Sequence, residues 1–272
     1  MTDQAHKALR FAALHRGEQP LLLPNPWDVG SARLFEHLGF DALATTSAGH
    51  AATLGRLDGE VTRDEALSHA AVIVGATDLP VSADFENGFA DDPDGVADSV
   101  SQAVATGLAG LSIEDFTGDD GDPIYEPGLA RARVEAAVET AHGGDARLVL
   151  TARCENYLHG RPDLGDTIAR LQAYQEAGAD VLYAPWLSDI AEITSLVRSV
   201  DLPVNVLLRP GGPTVAELAA IGVKRISVGG AFALAGIAGV VAAASEFHDE
   251  GTLGFFDAVA RGAAVRDDAF SE

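Results

Sequence analysis

The chain has 272 residues, 47% of them hydrophobic, and a formal net charge of −23. That length and apolar content support a substantial core and exclude long disordered stretches. The charge excludes nucleic acid and anionic membrane surfaces as partners, since both would repel it.

The N-terminal "MTDQAHKALRFAALHRG" has no long apolar core and no leader pattern, which predicts a cytoplasmic protein. Short β-type runs then alternate with longer amphipathic ones. The predicted strands are 21–25, 41–46, 80–85, 110–115, 147–153, 180–185, 203–208 and 225–230. Several intervening helices end in Gly, as in "HLGFDAL", "EAGADVL" and "AIGVKRI", where a left-handed cap precedes the next strand. Eight such units predict an α/β fold, a (β/α)8 TIM barrel, and no linker splits the chain, so residues 1–272 are expected to form one domain. A doubly wound open sheet is the alternative. After the eighth strand, "GGAFALAGIAGVVAAA" is 16 residues long, short for a membrane span, and is expected to be a buried helix. A further helical tail from about Thr252 carries Phe255 and Phe256, and would either cover the barrel base or pack on a neighbouring subunit.

Barrel enzymes carry their chemistry at the C-terminal ends of the strands. There the sequence places "TTSAG" (45–49), then Asp84 and Glu86, Glu114 and Asp115, and finally Arg153, Glu155 and Asn156. A single acid at such a position is usually a solvated loop residue. Acids on three adjacent strand ends instead suggest a hard cation. Oxygen donors without His or Cys favour Mg²⁺ or Mn²⁺ over Zn²⁺. The single cysteine, Cys154, permits no internal disulfide. It neighbours Arg153 in a strand and so points the other way, as a buried structural thiol would.

The ordered segments "LLLPNPWDVGSARLFEHLGFDALATTSAG", "LDG" with Asp58, "VSADFENGF", "GLSIED" and "TAR" resemble the isocitrate lyase/phosphoenolpyruvate mutase superfamily over about residues 20 to 230. The resemblance implies a TIM barrel, Mg²⁺ (or Mn²⁺), a 2-oxo or 2-hydroxy acid or its enolate as ligand, and a homotetramer of paired subunits that exchange the C-terminal helix. Carried over, Asp84 touches the metal, while Asp58, Glu86 and Glu114 hold its waters. The backbone of Ser47, Ala48 and Gly49 cradles a carboxylate, and Arg153 binds the same ligand. Glu86 stands where the family has a second Asp, and Ala90 where it has a Gly.

The isocitrate and methylisocitrate lyases carry a Lys-Lys-Cys-Gly-His loop after the fourth strand. Here "DFTGDDGDPIYEPGLARARVEA" has no Cys, Lys or His, and lacks the Asn that the mutases place there. The resulting expectation is a Mg²⁺-dependent lyase or decarboxylase acting on a small 2-oxo or 2-hydroxy dicarboxylate through an enolate. The alternatives are a phosphonopyruvate-type P–C mutase or hydrolase using Thr117, and a non-catalytic 2-oxo acid binder. Residues 116–128 are expected to form an irregular lid, with Asp119, Asp120 and Asp122 facing outward and Tyr125 closing over substrate. Asn205 is expected to reach the pocket, His50 to be a loop residue, "GGPT" (211–214) to be a turn and cap, and Asp28 to cap the first barrel helix.

Overall fold

A computed structural model describes residues 2–271. A helix α1 (Asp3–Leu14), N-capped by Thr2, precedes β1 (Leu21–Leu23). There follow α2 (Val29–His37), β2 (Leu43–Ala44), α3 (Ser47–Thr53), α4 (Arg63–Val74), β3 (Val81–Asp84), α5 (Pro93–Val104), β4 (Gly110–Glu114) and α6 (Pro127–His142). The second half continues with β5 (Val149–Arg153), α7 (Leu164–Glu176), β6 (Val181–Tyr183), α8 (Ile190–Ser199), β7 (Val204–Leu207), α9 (Val215–Ala220), β8 (Arg225–Ser227), α10 (Ala231–Ser245), a π-helical turn and α11 (Phe256–Phe270).

All strand pairs are parallel, in the order β1-β8-β7-β6-β5-β4-β3-β2. The Ala44 N–H donates to the Pro24 carbonyl at 3.1 Å, linking β2 to the residue after β1 and drawing the ring toward closure. The eight predicted strands are therefore the eight observed, and the alternating helices make the fold a (β/α)8 barrel. The helix starts are locally encoded. Asp28 with Ser31, Thr62 with Glu65, and Thr214 with Glu217 form reciprocal capping boxes. Gly107 and Gly178 end their helices at φ 92° and 98°, where a Cβ would also crowd Val74 and Val138 at 3.0 Å.

The barrel interior is partly polar. Arg225 donates from Nε to Asn205 Oδ1 at 3.0 Å and from Nη1 to Thr151 Oγ1 at 2.9 Å. Burial lowers its guanidinium to about 10. Asn205 also donates to Ser227 Oγ at 3.1 Å. Asn205 is thus buried with its side chain held by Arg225 and Ser227, while its register places it beside Tyr183, the neighbour of Arg153.

Two helices, α1 and α3, add to the predicted elements. The larger correction concerns α10, which is not buried against its own barrel. Leu234, Val240 and Val241 are 64%, 70% and 57% exposed, and of its residues only Ala233 is buried. With the π-helical turn it forms Ala231–Glu250, a stretch long and apolar enough to cross a membrane by length and composition. The tail helix α11 turns back to pack on α2 in the outer ring.

Candidate active site

Strand register brings the predicted acids together. Glu114 lies beside Arg153, and Arg153 beside Tyr183, across β4, β5 and β6. The Arg153 guanidinium divides among three carboxylates. Nη1 meets Asp84 Oδ1 at 2.6 Å, Nη2 meets Glu114 Oε2 at 3.0 Å, and Nε meets Glu155 Oε1 at 2.8 Å. Its cationic carbon lies 5.3 Å from the centre of the Tyr183 ring. Burial works against this charge, but Glu114, Glu155 and Asp84 outweigh it and push the Arg153 pKa up.

One cation cannot satisfy three buried anions. Burial raises Glu114 well above the usual carboxylate range, and raises Glu155 to about 7, even though Arg153 opposes both shifts. Glu155 is fully buried and its Oε2 has no hydrogen-bond partner, while its backbone N–H is held by Asp115 Oδ1 at 2.7 Å. Asp115 is in turn bound by Tyr174 at 2.6 Å and Arg170 at 3.4 Å. This inner shell fixes the end of β5.

The second carboxylate oxygen of Asp84 accepts from the Ser47 N–H at 3.1 Å and from its hydroxyl at 2.9 Å. Ser47 begins α3, whose N-cap Thr46 accepts from the Gly49 N–H at 3.3 Å. A Cβ on Gly49 would come within 2.6 Å of the Thr46 methyl group and 3.0 Å of Trp27 Cβ, so the close approach of 46–49 to the first strand's loop requires glycine.

Glu86 follows in a left-handed backbone, φ 46°, as does Phe89, φ 55°. Non-glycine residues adopt this region at a cost, which concentrates at functional sites. The turn is clamped from α6: Arg133 donates to the carbonyls of Asn87, Ala90 and Asp91. Burial raises the Glu86 carboxyl to about 8, with Asp84 and Asp58 adding to the shift. Asp58 is also raised, first by desolvation of its carboxyl and then by Asp84, although much of the residue's surface is exposed.

Tyr125 belongs to the Arg133 clamp. Its ring lies 4.0 Å beneath the Arg133 guanidinium, and its hydroxyl donates to Asp91 at 2.6 Å. It is buried, and this tether argues against the expected swing toward the pocket. The lid is irregular, as predicted, but folded on itself. Phe116 bridges Ile124, and Thr117 Oγ1 donates to the Asp122 carbonyl at 2.7 Å, which turns Thr117 inward on the lid. Asp119, Asp120 and Asp122 are exposed, and the Phe116 ring stacks on His159 at 3.8 Å.

Other candidates resolve into structural parts. Cys154 is buried, and burial raises its thiol well above the usual range. Asn156 is tied to Asp166 and Thr167, and Asp28 caps α2. His50, expected in a loop, lies within α3 and stacks on His69 at 3.9 Å.

The donor set fits a hard divalent cation. Asp58, Asp84, Glu86 and Glu114 gather at one mouth beside a single guanidinium, where burial first, and neighbouring carboxylates to a lesser degree, raise the carboxyls of Asp58, Glu86 and Glu114. Among the described residues no three acidic or imidazole groups form a ready-made cage. A Mg²⁺ ion keeps several of its own waters and takes only one or two carboxylates directly, so Asp84 with neighbours acting through water would be enough to hold one.

A parallel eight-stranded barrel with acids and an arginine at its C-terminal mouth defines a class of barrel enzymes that handle small anions at the strand ends. The profile of the phosphoenolpyruvate phosphomutase family matches residues 11–248, and the chain belongs to that family, within the isocitrate lyase/phosphoenolpyruvate mutase superfamily. A protein from Burkholderia cenocepacia J2315, described as a lyase/mutase, has a crystal structure that superposes with a TM-score of 0.95 at 49% identity, covering 99% of this chain and 97% of its own. An uncharacterized protein of Mycobacterium tuberculosis is 35% identical over 89% of this chain and 90% of its own length. A 2-methylisocitrate lyase of Corynebacterium glutamicum is 30% identical over 78% and 69%, respectively. An oxaloacetate decarboxylase of Pseudomonas fluorescens is 29% identical over 84% and 79%.

Proposed function

We propose that this protein is a Mg²⁺-dependent carbon–carbon lyase or decarboxylase that acts on a small 2-oxo or 2-hydroxy dicarboxylate through an enolate. The observation that carries the reading is the Arg153 fork, which joins Asp84, Glu114 and Glu155 at the strand ends beside Glu86 and Ser47. The relatives named for lyase and decarboxylase reactions support it.

Asp84 would contact the cation, with Asp58, Glu86 and Glu114 holding its waters. When bound, the cation would polarise the carbonyl of the substrate and offset the charge an enolate gathers. The chain's own residues do the rest. Arg153 orients the carboxylates of Asp84, Glu114 and Glu155, among which its three nitrogens are divided, and supplies the one positive charge beside them. At the start of α3 the Ser47 and Gly49 N–H groups already donate to Asp84 and Thr46, which leaves the Ala48 N–H for a carboxylate of the ligand. The lid over 116–126 keeps bulk water, and so stray protons, from the enolate.

The test is turnover. Purified protein with Mg²⁺ and a panel of 2-oxo and 2-hydroxy dicarboxylates is expected to release pyruvate, glyoxylate or another 2-oxo acid. Clear turnover of phosphonopyruvate, with none of the dicarboxylates consumed, would overturn the reading.

We also infer a homo-oligomer, a tetramer of paired subunits, in which the apolar face of α10 is covered by a second copy. Phe232, Ile237, Val240, Val241 and Phe247 are exposed together in a single chain, a larger apolar display than monomers usually carry. Light scattering on the wild-type protein should report an oligomer. Val240→Asp with Val241→Asp should shift it to smaller species. A wild-type monomer at micromolar concentration would contradict the inference.

A further inference from the structure

Beyond the carboxylate cluster, two residues at the same mouth stand out. Trp186, three residues past β6, lies in a left-handed backbone with φ 69° and is 44% exposed. Arg209, two residues past β7, lies over it with its guanidinium carbon 3.6 Å from the ring centre. Side chains two apart on a strand share a face. Asn205 points into the barrel, where it meets Arg225 and Ser227. Leu208 N–H still donates to the Ser227 carbonyl at 2.9 Å, so β-type pairing continues past Leu207. The series Asn205, Leu207, Arg209 therefore climbs the inner wall and ends at the mouth.

Arg209 is half-buried. In a chain with 41 acidic residues, it forms no ion pair among the described residues. Stacking on an indole fixes the plane of a guanidinium while leaving its donor edge free, and that edge matches a carboxylate bidentately. The opposite side of the mouth carries Asp58, Asp84, Glu86 and Glu114, and its one guanidinium, Arg153, is already shared among three carboxylates. A ligand with two carboxylates thus needs a second cation, away from that cluster, for its far end.

We propose that Arg209, held by Trp186, is the specificity-determining residue that binds the distal carboxylate of a two-carboxylate substrate. This rests on the 2-oxo or 2-hydroxy dicarboxylate reading given above. Trp186 acts through Arg209 as a positioning residue, its unusual backbone turning the indole under the guanidinium.

The test compares two probes by calorimetry, with Mg²⁺ present: 3,3-difluorooxaloacetate, which has two carboxylates, and pyruvate, which has one. The wild-type protein should prefer the first. Arg209→Met should bind the two-carboxylate probe roughly 10- to 100-fold more weakly and pyruvate unchanged. Arg209→Lys should recover part of the preference, because it restores the charge without the fork. Trp186→Ala should weaken the two-carboxylate probe alone, by a smaller factor. Circular dichroism and thermal melts matching the wild type establish that each variant is folded. If the wild-type protein prefers the two-carboxylate probe and Arg209→Met keeps that preference, Arg209 is not the subsite and the dicarboxylate reading stands. If Arg209→Met weakens both probes equally, its role is general and the proposal fails. If the wild-type protein binds neither probe, the dicarboxylate reading falls and this proposal falls with it.

Discussion

Replacing Arg153 by Met is expected to abolish activity and to destabilise the protein in a pH-dependent way. Arg153 is buried among Asp84, Glu114 and Glu155, each within 3.0 Å of a guanidinium nitrogen. Removing one partner of a buried ion pair typically costs about 3–5 kcal/mol, because the other charge is left uncompensated. Here the carboxylates can escape by taking up protons. In the wild-type fold Glu155 already sits at about 7 and Glu114 higher than usual, and without the guanidinium both should rise further. A carboxyl whose folded pKa is raised holds more protons folded than unfolded, so stability falls as pH rises from the unfolded pKa toward the folded one. Wild type and variant hold the same protons below the wild-type folded pKa, so the gap between them should be steady up to about pH 7. Above that the variant alone keeps its protons, and the gap should widen, by at most about 1.4 kcal/mol per pH unit for each group involved. Urea unfolding at pH 6, 7 and 8.5 measures this directly. A constant gap across that range would mean that packing, not charge, is what Arg153 contributes.

The strands and the mouth were legible because their signals are local. "PVSADF" and "RLVLTAR" read as buried strands from a few adjacent residues, and a strand's two-residue period says which neighbour of Arg153 faces away. Side-chain partners along the barrel are not local. Asn205 is held by Arg225, from a strand 20 residues later, and nothing near Asn205 in the sequence announces that bond. Tyr125 followed a Gly- and Asp-rich loop and so read as mobile. Its partners are Asp91, on the far side of β4, and Arg133 of α6, and nothing in the loop itself announces them. The same limit hid the exposure of α10. A helix that is apolar all round reads alike whether its own barrel or another chain covers it. Nothing near Arg209 or Trp186 in the sequence announces their stacking, which depends on two different strand ends meeting at the mouth.

Asp84→Ala should reduce turnover by about a thousandfold or more while leaving the fold intact. Asp84 is the one carboxylate that links both halves of the mouth. Its Oδ1 is bound by Arg153 at 2.6 Å, and its Oδ2 by the backbone and hydroxyl of Ser47. Losing it removes the proposed direct ligand of the cation, and transition-state charge stabilisation by a metal amounts to several kcal/mol, each 1.36 kcal/mol being tenfold in rate. The structural cost should be far smaller. Ser47 keeps its place at the start of α3 through Thr46, and Arg153 keeps Glu114 and Glu155. The strand itself is held by its neighbours through backbone pairing. The variant should therefore melt within a few degrees of wild type, with its residual activity no longer responding to Mg²⁺ over the range that activates the wild-type enzyme. Retained activity at limiting Mg²⁺ would show that Asp84 serves only to hold Arg153 and Ser47 in place, and that the cation, if one is used, is held elsewhere in the mouth.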